Sequence, residues 1–320
     1  MNTLTGRKKM KRWHALVLMI LVGLAAEVSA ADIPIGVAWQ GKSGMADRVF
    51  KGFQQALNEL APDIKPEVRK DLADETALNA AVEDFEKTKK GMVILRSNGA
   101  IMLAKRTLRI PAFIGGCNNP VELGVAESLV KPKANMTGVT YYIPAKVKLE
   151  TFKSVYPPLR EFLLLVEEGN PSSPIDASET QADAPGLGLS GRTVSCKTLD
   201  EAIAAVTKAG PDSVFIIGSQ ALLLDNADKV VQAAGPRPVF AYSERPVEVG
   251  ALCGVVADDL KLGRMLGAMV AEVLVQGKNI ANMPIQTDPK PKLFINARAA
   301  ERLKVQIPYE VLNLAQIVEK

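Results

Sequence analysis

Histidine is almost missing from this sequence. One residue of 320 is a histidine, His14, and it lies in a segment expected to be removed from the finished protein. Without imidazole, a Ser-His-Asp or Cys-His nucleophile cannot be built, and the commonest zinc ligand is gone. Cysteine is scarce too. Cys117, Cys196 and Cys253 have a spacing that fits no metal motif, and an odd number cannot all pair internally. Cys253 sits in the apolar run 251–257 and reads as a small buried hydrophobe. Cys117 has no base to activate it. The chain also lacks a glycine-rich phosphate loop and a carboxylate pair at fixed spacing. No metal, no cofactor and no catalytic residue is therefore expected, and the sequence does not read as an enzyme.

A strong charge of either sign is missing once the amino terminus is set aside. Arg7, Lys8, Lys9, Lys11 and Arg12 precede a largely apolar segment, 13–26, and Val28-Ser29-Ala30 offers a small-x-small cleavage site before Ala31. That is the pattern of a secretory signal peptide over 1–30. The apolar stretch is short of the roughly 20 residues a spanning helix needs. The finished chain is expected to be soluble in a periplasm, not inserted in the membrane, and monomeric. The whole sequence holds 39 basic and 35 acidic residues. Removing five basic residues and Glu27 leaves 34 of each, so nothing favours nucleic acid or an anionic membrane as partner.

What remains is a long alternation of short apolar runs and amphipathic stretches. Strands are predicted at 33–39, 64–72, 92–96 and 110–114, with helices at 45–60, 75–87 and 98–106 between them. Met45, Val49, Phe53, Leu57 and Leu60 show the three- and four-residue steps of a helix. Such alternation predicts an α/β fold with a parallel sheet covered on both faces. The pattern restarts after Tyr142. Helices are expected at 144–156, 199–209, 222–234 and 259–276, and strands at 162–167, 193–198, 213–217, 238–242 and 251–257. The Pro-, Ser- and Gly-rich segment 169–191 predicts a short helix or a loop on the outer face. A final helix is expected over 309–319.

The stretch 110–140 organises the rest. Ile110-Pro111-Ala112-Phe113-Ile114 reads as a buried strand and breaks at Gly115-Gly116. Asn119 and Pro120 then suit the cap and first position of a short helix over 121–129. A second strand follows from Met136. This order resembles the substrate-binding proteins of ABC importers, in the family that includes bacterial tryptophan and tyrosine binders. That family has Asp-Pro-Val where this chain has Asn119-Pro120-Val121. It has Pro-Gly-Gly-Asn-x-Thr-Gly-Val where this chain has Pro132-Lys133-Ala134-Asn135-Met136-Thr137-Gly138-Val139. Lys292-Leu293-Phe294-Ile295-Asn296, Ala299-Ala300, Leu303 and Ile307-Pro308 are similar to the family's ending, and Gly250, Gly254 and Gly263 to its other marks.

The resemblance implies a type I periplasmic-binding-protein fold of two Rossmann-like lobes. Each lobe is a mainly parallel sheet flanked by helices, and hinge crossovers join them. The amino-terminal lobe would be 31–142 plus about 258–282, and the carboxy-terminal lobe 143–257 plus about 283–320. It implies a receptor that closes on a small polar molecule, such as an amino acid, and docks on the permease subunits of an importer. A sensing partner of a membrane protein, or an enzyme on the same scaffold, is the alternative.

The cleft in such a fold faces the carboxyl ends of the strands. Candidate ligand contacts are therefore Trp39 and Gln40, Ser97 and Asn98, Asn118 and Asn119, Ser219 and Gln220, and Ser243 and Glu244. Trp39 can stack on a ligand or pack in the core. Ser97 and Asn98 can offer helix-start amides to an anion or simply begin a helix. Glu244 can meet an ammonium, a role for which Glu167, Glu168 and Asp258 also qualify. Asparagine at 119 caps a helix as well as aspartate does, so exchange for aspartate is expected to leave stability unchanged and to alter ligand affinity.

Overall fold

The computed structural model describes residues 32–133 and 135–319. The expected leader at 1–30, its cleavage point before Ala31 and the motif residue Ala134 lie outside the described residues. Strands β1 (Ile33–Gln40), β2 (Ile64–Leu72), β3 (Gly91–Leu95), β4 (Ala112–Cys117) and β5 (Met136–Thr140) alternate at first with helices α1 (Gly44–Leu60), α2 (Glu75–Thr88) and α3 (Ser97–Ala104). Every residue of β3, β4 and β5 is buried, as a parallel sheet covered on both faces requires. Helix starts follow from local chemistry. Ser43 Oγ accepts from the Ala46 N–H at 3.2 Å to open α1, and Asp74 accepts from the Ala77 N–H at 2.8 Å to open α2.

The second half contains α4 (Ala145–Val155), β6 (Glu161–Glu167), α5 (Ser173–Asp183), β7 (Ser190–Cys196), α6 (Leu199–Lys208) and β8 (Phe215–Ile217). After these come α7 (Ala221–Asp225), α8 (Ala227–Ala234), β9 (Val239–Ala241), α9 (Glu244–Glu248) and β10 (Cys253–Val256). The chain ends with α10 (Asp259–Leu274), β11 (Gln286–Thr287), β12 (Lys292–Asn296), α11 (Ala297–Arg302), α12 (Tyr309–Leu312) and β13 (Ala315–Val318). Among the described residues, one sheet has six strands in the order β11-β5-β4-β3-β1-β2, all parallel. The other has seven, β13-β12-β10-β9-β8-β6-β7, with β10 and β12 as its antiparallel pair.

Among the described residues, three connections pass between the sheets. Residues 141–144 lead from β5 to α4, whose Phe152 stacks on Phe240 of β9 at 4.8 Å. Residues 257–258 lead from β10 to α10, which returns to the first sheet and packs along α1. That contact is backbone to backbone. A Cβ on Gly263 would lie 2.0 Å from the Val49 carbonyl oxygen, and one on Gly52 would lie 2.0 Å from that of Leu260. Only glycine fits either position. Residues 288–291 lead from β11 to β12. Asp288 braces these last two connections, accepting from the Asp258 N–H at 2.8 Å and from Lys261 Nζ at 2.6 Å.

Several elements differ from expectation. Residues 121–129 form no helix. The Val125 and Ala126 N–H groups both turn back to the Pro120 carbonyl, and Gly124 has φ +68°, so the first turn cannot propagate. Segment 169–191 holds an eleven-residue helix, α5, which faces inward. Its buried face includes Asp176 and Thr180, so hydrophobic periodicity does not reveal it. The expected helix over 222–234 breaks at Asn226 into α7 and α8. The tail forms one short turn, α12, and then β13 parallel to β12. β11 lies beyond the boundary expected at 282, yet it pairs with β5.

Candidate functional site

The loops after β1, β3 and β4 of the first sheet and after β6, β8 and β9 of the second line a common cavity of about 450 Å³. That is the size of a small-molecule site. Asp176, on the first turns of α5, is its best-anchored group. Its Oδ2 accepts from the Ser219 N–H at 3.2 Å, from Ser219 Oγ at 2.8 Å and from Gln220 Nε2 at 2.7 Å. Its Oδ1 accepts from Asn118 Nδ2 at 3.2 Å, a bond that links the two sheets. A buried carboxylate with this many donors is well satisfied.

Further bonds cross between the sheets beside it. Asn119 Nδ2 donates to Glu179 Oε1 at 3.0 Å, and the Ser97 and Ser172 hydroxyls lie 3.4 Å apart. Tyr141 Oη lies 3.3 Å from Ser172 Oγ. Burial pushes the Tyr141 phenol up to about 12, and the charge of Asp176 adds to the shift. Burial also raises the Glu179 carboxyl, against the opposing bonds from Asn119 and Tyr142.

Lys148 is the cationic counterpart. It lies on α4 at a core-facing position and is only 7% exposed. Its Nζ sits 3.7 Å from the centre of the Tyr242 ring, a cation–π contact. The ring is itself held by a 2.6 Å hydrogen bond between Tyr242 Oη and Thr180 Oγ1. Burial lowers the pKa of the ammonium, and the charges of Asp176 and Glu179 oppose that shift.

At the far side, Arg48 donates to Asp259 Oδ2 through Nε at 3.0 Å and Nη2 at 2.8 Å. Burial nevertheless pushes the Asp259 carboxyl up to about 6, with Arg48 pulling the other way. Arg96 opens α3 with φ +74°, a region that costs a non-glycine residue about 1–3 kcal/mol. Its N–H bonds the Gly115 carbonyl at 2.8 Å, and its guanidinium reaches the carbonyl of Gln40.

Residues 35–319 match the profile of the family described as ABC transporter substrate binding protein. The chain belongs to this family. A tyrosine-binding protein of Clostridioides difficile is 25% identical over 284 residues, covering 85% of this chain and 81% of that one. An ABC domain from Streptococcus pneumoniae, solved in complex with L-Trp, is 24% identical with a TM-score of 0.79, covering 90% of this chain and 99% of that one. The ligand-free, open structure of a substrate-binding protein with adhesive properties from Clostridium difficile is 21% identical with a TM-score of 0.75, covering 90% and 99%. The fold is that of the type I periplasmic binding proteins.

In this substrate-binding protein, Ser97, Asn98, Asn118, Ser219, Ser243 and Glu244 line the cavity. Asn119 and Gln220 stand behind it, bonded to Glu179 and Asp176. Trp39 and Gln40 do not line it. Trp39 is wholly buried against Phe50, with ring centres 5.8 Å apart, because its place in β1 turns the side chain into the core. Gln40 contributes its carbonyl to Arg96. The competitors of Glu244 are engaged elsewhere. Glu167 accepts from the Leu222 N–H, Glu168 pairs with Lys197, and Asp258 caps α10. Asn119 does cap a turn, Oδ1 accepting from the Val121 N–H at 3.1 Å. Its amide faces a carboxylate, however, so aspartate would not be neutral there.

Asp176, Lys148 and Ser172 were not reached from sequence. Lys148 left a signal: it shares one helix face with Ala145, Leu149, Phe152 and Val155, where a lysine is out of place. Asp176 left none, since its neighbours Ser172, Ser173 and Thr180 are polar.

Proposed function

We propose that this substrate-binding protein captures an amino-acid-sized polar solute outside the cytoplasm and delivers it to the permease subunits of an importer. The observation that carries this reading is the pair of opposite charges, Lys148 and Asp176, both buried on one cavity fed by the strand ends of both sheets. Fixed charges of both signs suit a zwitterionic or otherwise polar molecule. The amino-acid ligands of the tyrosine-binding and L-Trp-bound relatives support the same class.

In this proposal the two sheets with their helices act as lobes, approximately 31–142 with α10 and β11, and 143–257 with the tail. They open and close at the connections 141–144, 257–258 and 288–291. The bonds of Asn118 to Asp176 and Asn119 to Glu179 would latch the closed form. The leader at 1–30 would direct export and be removed, leaving a soluble monomer. We read the protein as non-catalytic. The buried Cys117 thiol, pushed up to about 12, stays protonated at neutral pH and is a poor nucleophile.

A thermal-shift screen against the twenty amino acids, small carboxylates, polyols and nucleobases tests this. A ligand at 100 times its dissociation constant adds about 2.7 kcal/mol, a shift of several degrees. A shift by at least one compound is expected. No shift by any would contradict the proposal.

A further inference from the structure

Asp176 and Lys148 are both buried on the cavity, but they are not equivalent. Both oxygens of Asp176 are already engaged, by four donor atoms in all. Lys148 Nζ makes no hydrogen bond and no ion pair with any described residue, and it sits over the Tyr242 ring face. An ammonium that is more than nine-tenths buried ordinarily pairs with an anion, because desolvating an unpaired charge is costly. The ring face supplies only part of that compensation. Of the other cations on the cavity, Arg48 binds Asp259, Arg96 binds the Gln40 carbonyl, Arg245 binds Glu248 at 3.2 Å, and Lys42 is exposed, where water solvates it.

A second feature has the same sign. Helix α3 begins at Ser97 without a side-chain cap, and Ser97 and Asn98 line the same cavity as Lys148. Uncapped first-turn N–H groups favour an anion. Asp176 and Glu179 are near enough for their charges to act on Lys148, but neither bonds to it, and no side chain caps the start of α3.

We infer that Lys148 is the counter-ion for a carboxylate of the bound solute, with the open start of α3 lining the same anion-receptive cavity. The inference rests on the solute-binding reading above and adds to it which end of the ligand meets which residue. Glu244, which makes no hydrogen bond or ion pair of its own among the described residues, is left for a cationic end. Exchange of Lys148 for methionine keeps an unbranched apolar stem of nearly the same length on α4 and removes the ammonium over the Tyr242 ring. The expected result is thus a change in ligand selectivity with the fold preserved.

The experiment measures dissociation constants by calorimetry for the wild type, Lys148→Met and Lys148→Arg. The probes are L-tryptophan, L-tyrosine and L-leucine, their primary amides, and the corresponding acids without the amino group. Glucose and myo-inositol serve as uncharged probes. In the wild type, at least one acid should bind at least tenfold more tightly than its amide, about 1.4 kcal/mol. Lys148→Met should lose at least tenfold for that acid and leave the amide unchanged. Lys148→Arg should keep the preference for acid.

Equal binding of the acid by Lys148→Met and wild type overturns the inference, as does equal binding of acid and amide by the wild type. Binding of a polyol alone would overturn it while leaving the solute-binding reading standing. No binding by any probe would count against both. Should Lys148→Met fail to fold by circular dichroism, the wild-type comparison of acid with amide and the Lys148→Arg titration decide.

Discussion

Replacing Asp176 by asparagine tests whether the centre of the site is as tightly determined as its geometry suggests. The amide oxygen can take the Oδ2 position and keep the bonds from Ser219 and Gln220, but it gives up the negative charge. Hydrogen bonds to a charged group contribute about 1.5–3 kcal/mol and neutral ones about 0.5–1.5, so three such bonds lose about 3 kcal/mol together. The new NH₂ then faces Asn118 Nδ2, donor against donor. Asn118 cannot simply turn over, because its Oδ1 accepts from the Asn119 N–H at 2.8 Å. Leaving those donors unmet costs about 1–3 kcal/mol more. Neutralising a buried carboxylate returns some desolvation energy, and we set the net loss at about 3 kcal/mol. Urea unfolding of Asp176→Asn and wild type, with Asp176→Ala as the larger truncation, reads this directly. A loss below about 0.5 kcal/mol for Asp176→Asn would refute the hydrogen-bond account of the site.

Other substitutions probe the surroundings. Gly263→Ala places a Cβ against the Val49 carbonyl and should cost about 2–3 kcal/mol despite the better helix propensity of alanine; an unchanged urea midpoint would mean that α10 does not pack on α1. Asn119→Asp sets a second carboxylate beside Glu179, whose pKa is already raised by burial. The loss, about 1 kcal/mol after solvent screening, should be present at pH 8 and shrink as the pH falls through that raised pKa; equal losses at pH 8 and pH 5 would contradict this. Lys148 has a folded pKa below its ordinary 10.5, so between those two values the unfolded chain holds a proton that the folded chain has released. The ligand-free wild type should therefore gain stability relative to Lys148→Met as the pH rises through that window, and urea midpoints measured in parallel at pH 8 and pH 10 check the sign.

The sheets were legible because burial on both faces leaves continuous apolar runs such as Met92-Val93-Ile94-Leu95, which cannot be mistaken for surface. The loops at their carboxyl ends were legible for the same reason, since strand ends predict where ligands gather. Ser97, Asn98, Asn118 and Ser219 came from that rule and do line the cavity. The rule says nothing about which way a side chain points. Trp39, near the end of β1, turns into the core, where its Nε1 has no partner among the described residues. α5 was hidden because its inner face is held by hydrogen bonds rather than by apolar contact, and pattern arguments register only the latter. Lys148 was readable in principle from its place on the apolar stripe of α4. The failed helix after Pro120 had the right start signals, and Gly124 ended it one turn later.

Hydrogen–deuterium exchange with and without the compound that most raises the melting temperature is the most direct test that the cavity between the sheets is the binding site. Protection is expected in peptides covering 96–98, 118–119, 172–176 and 219–220, from both sheets at once. Protection confined to one sheet, or lying away from these loops while calorimetry shows saturation, would contradict the account.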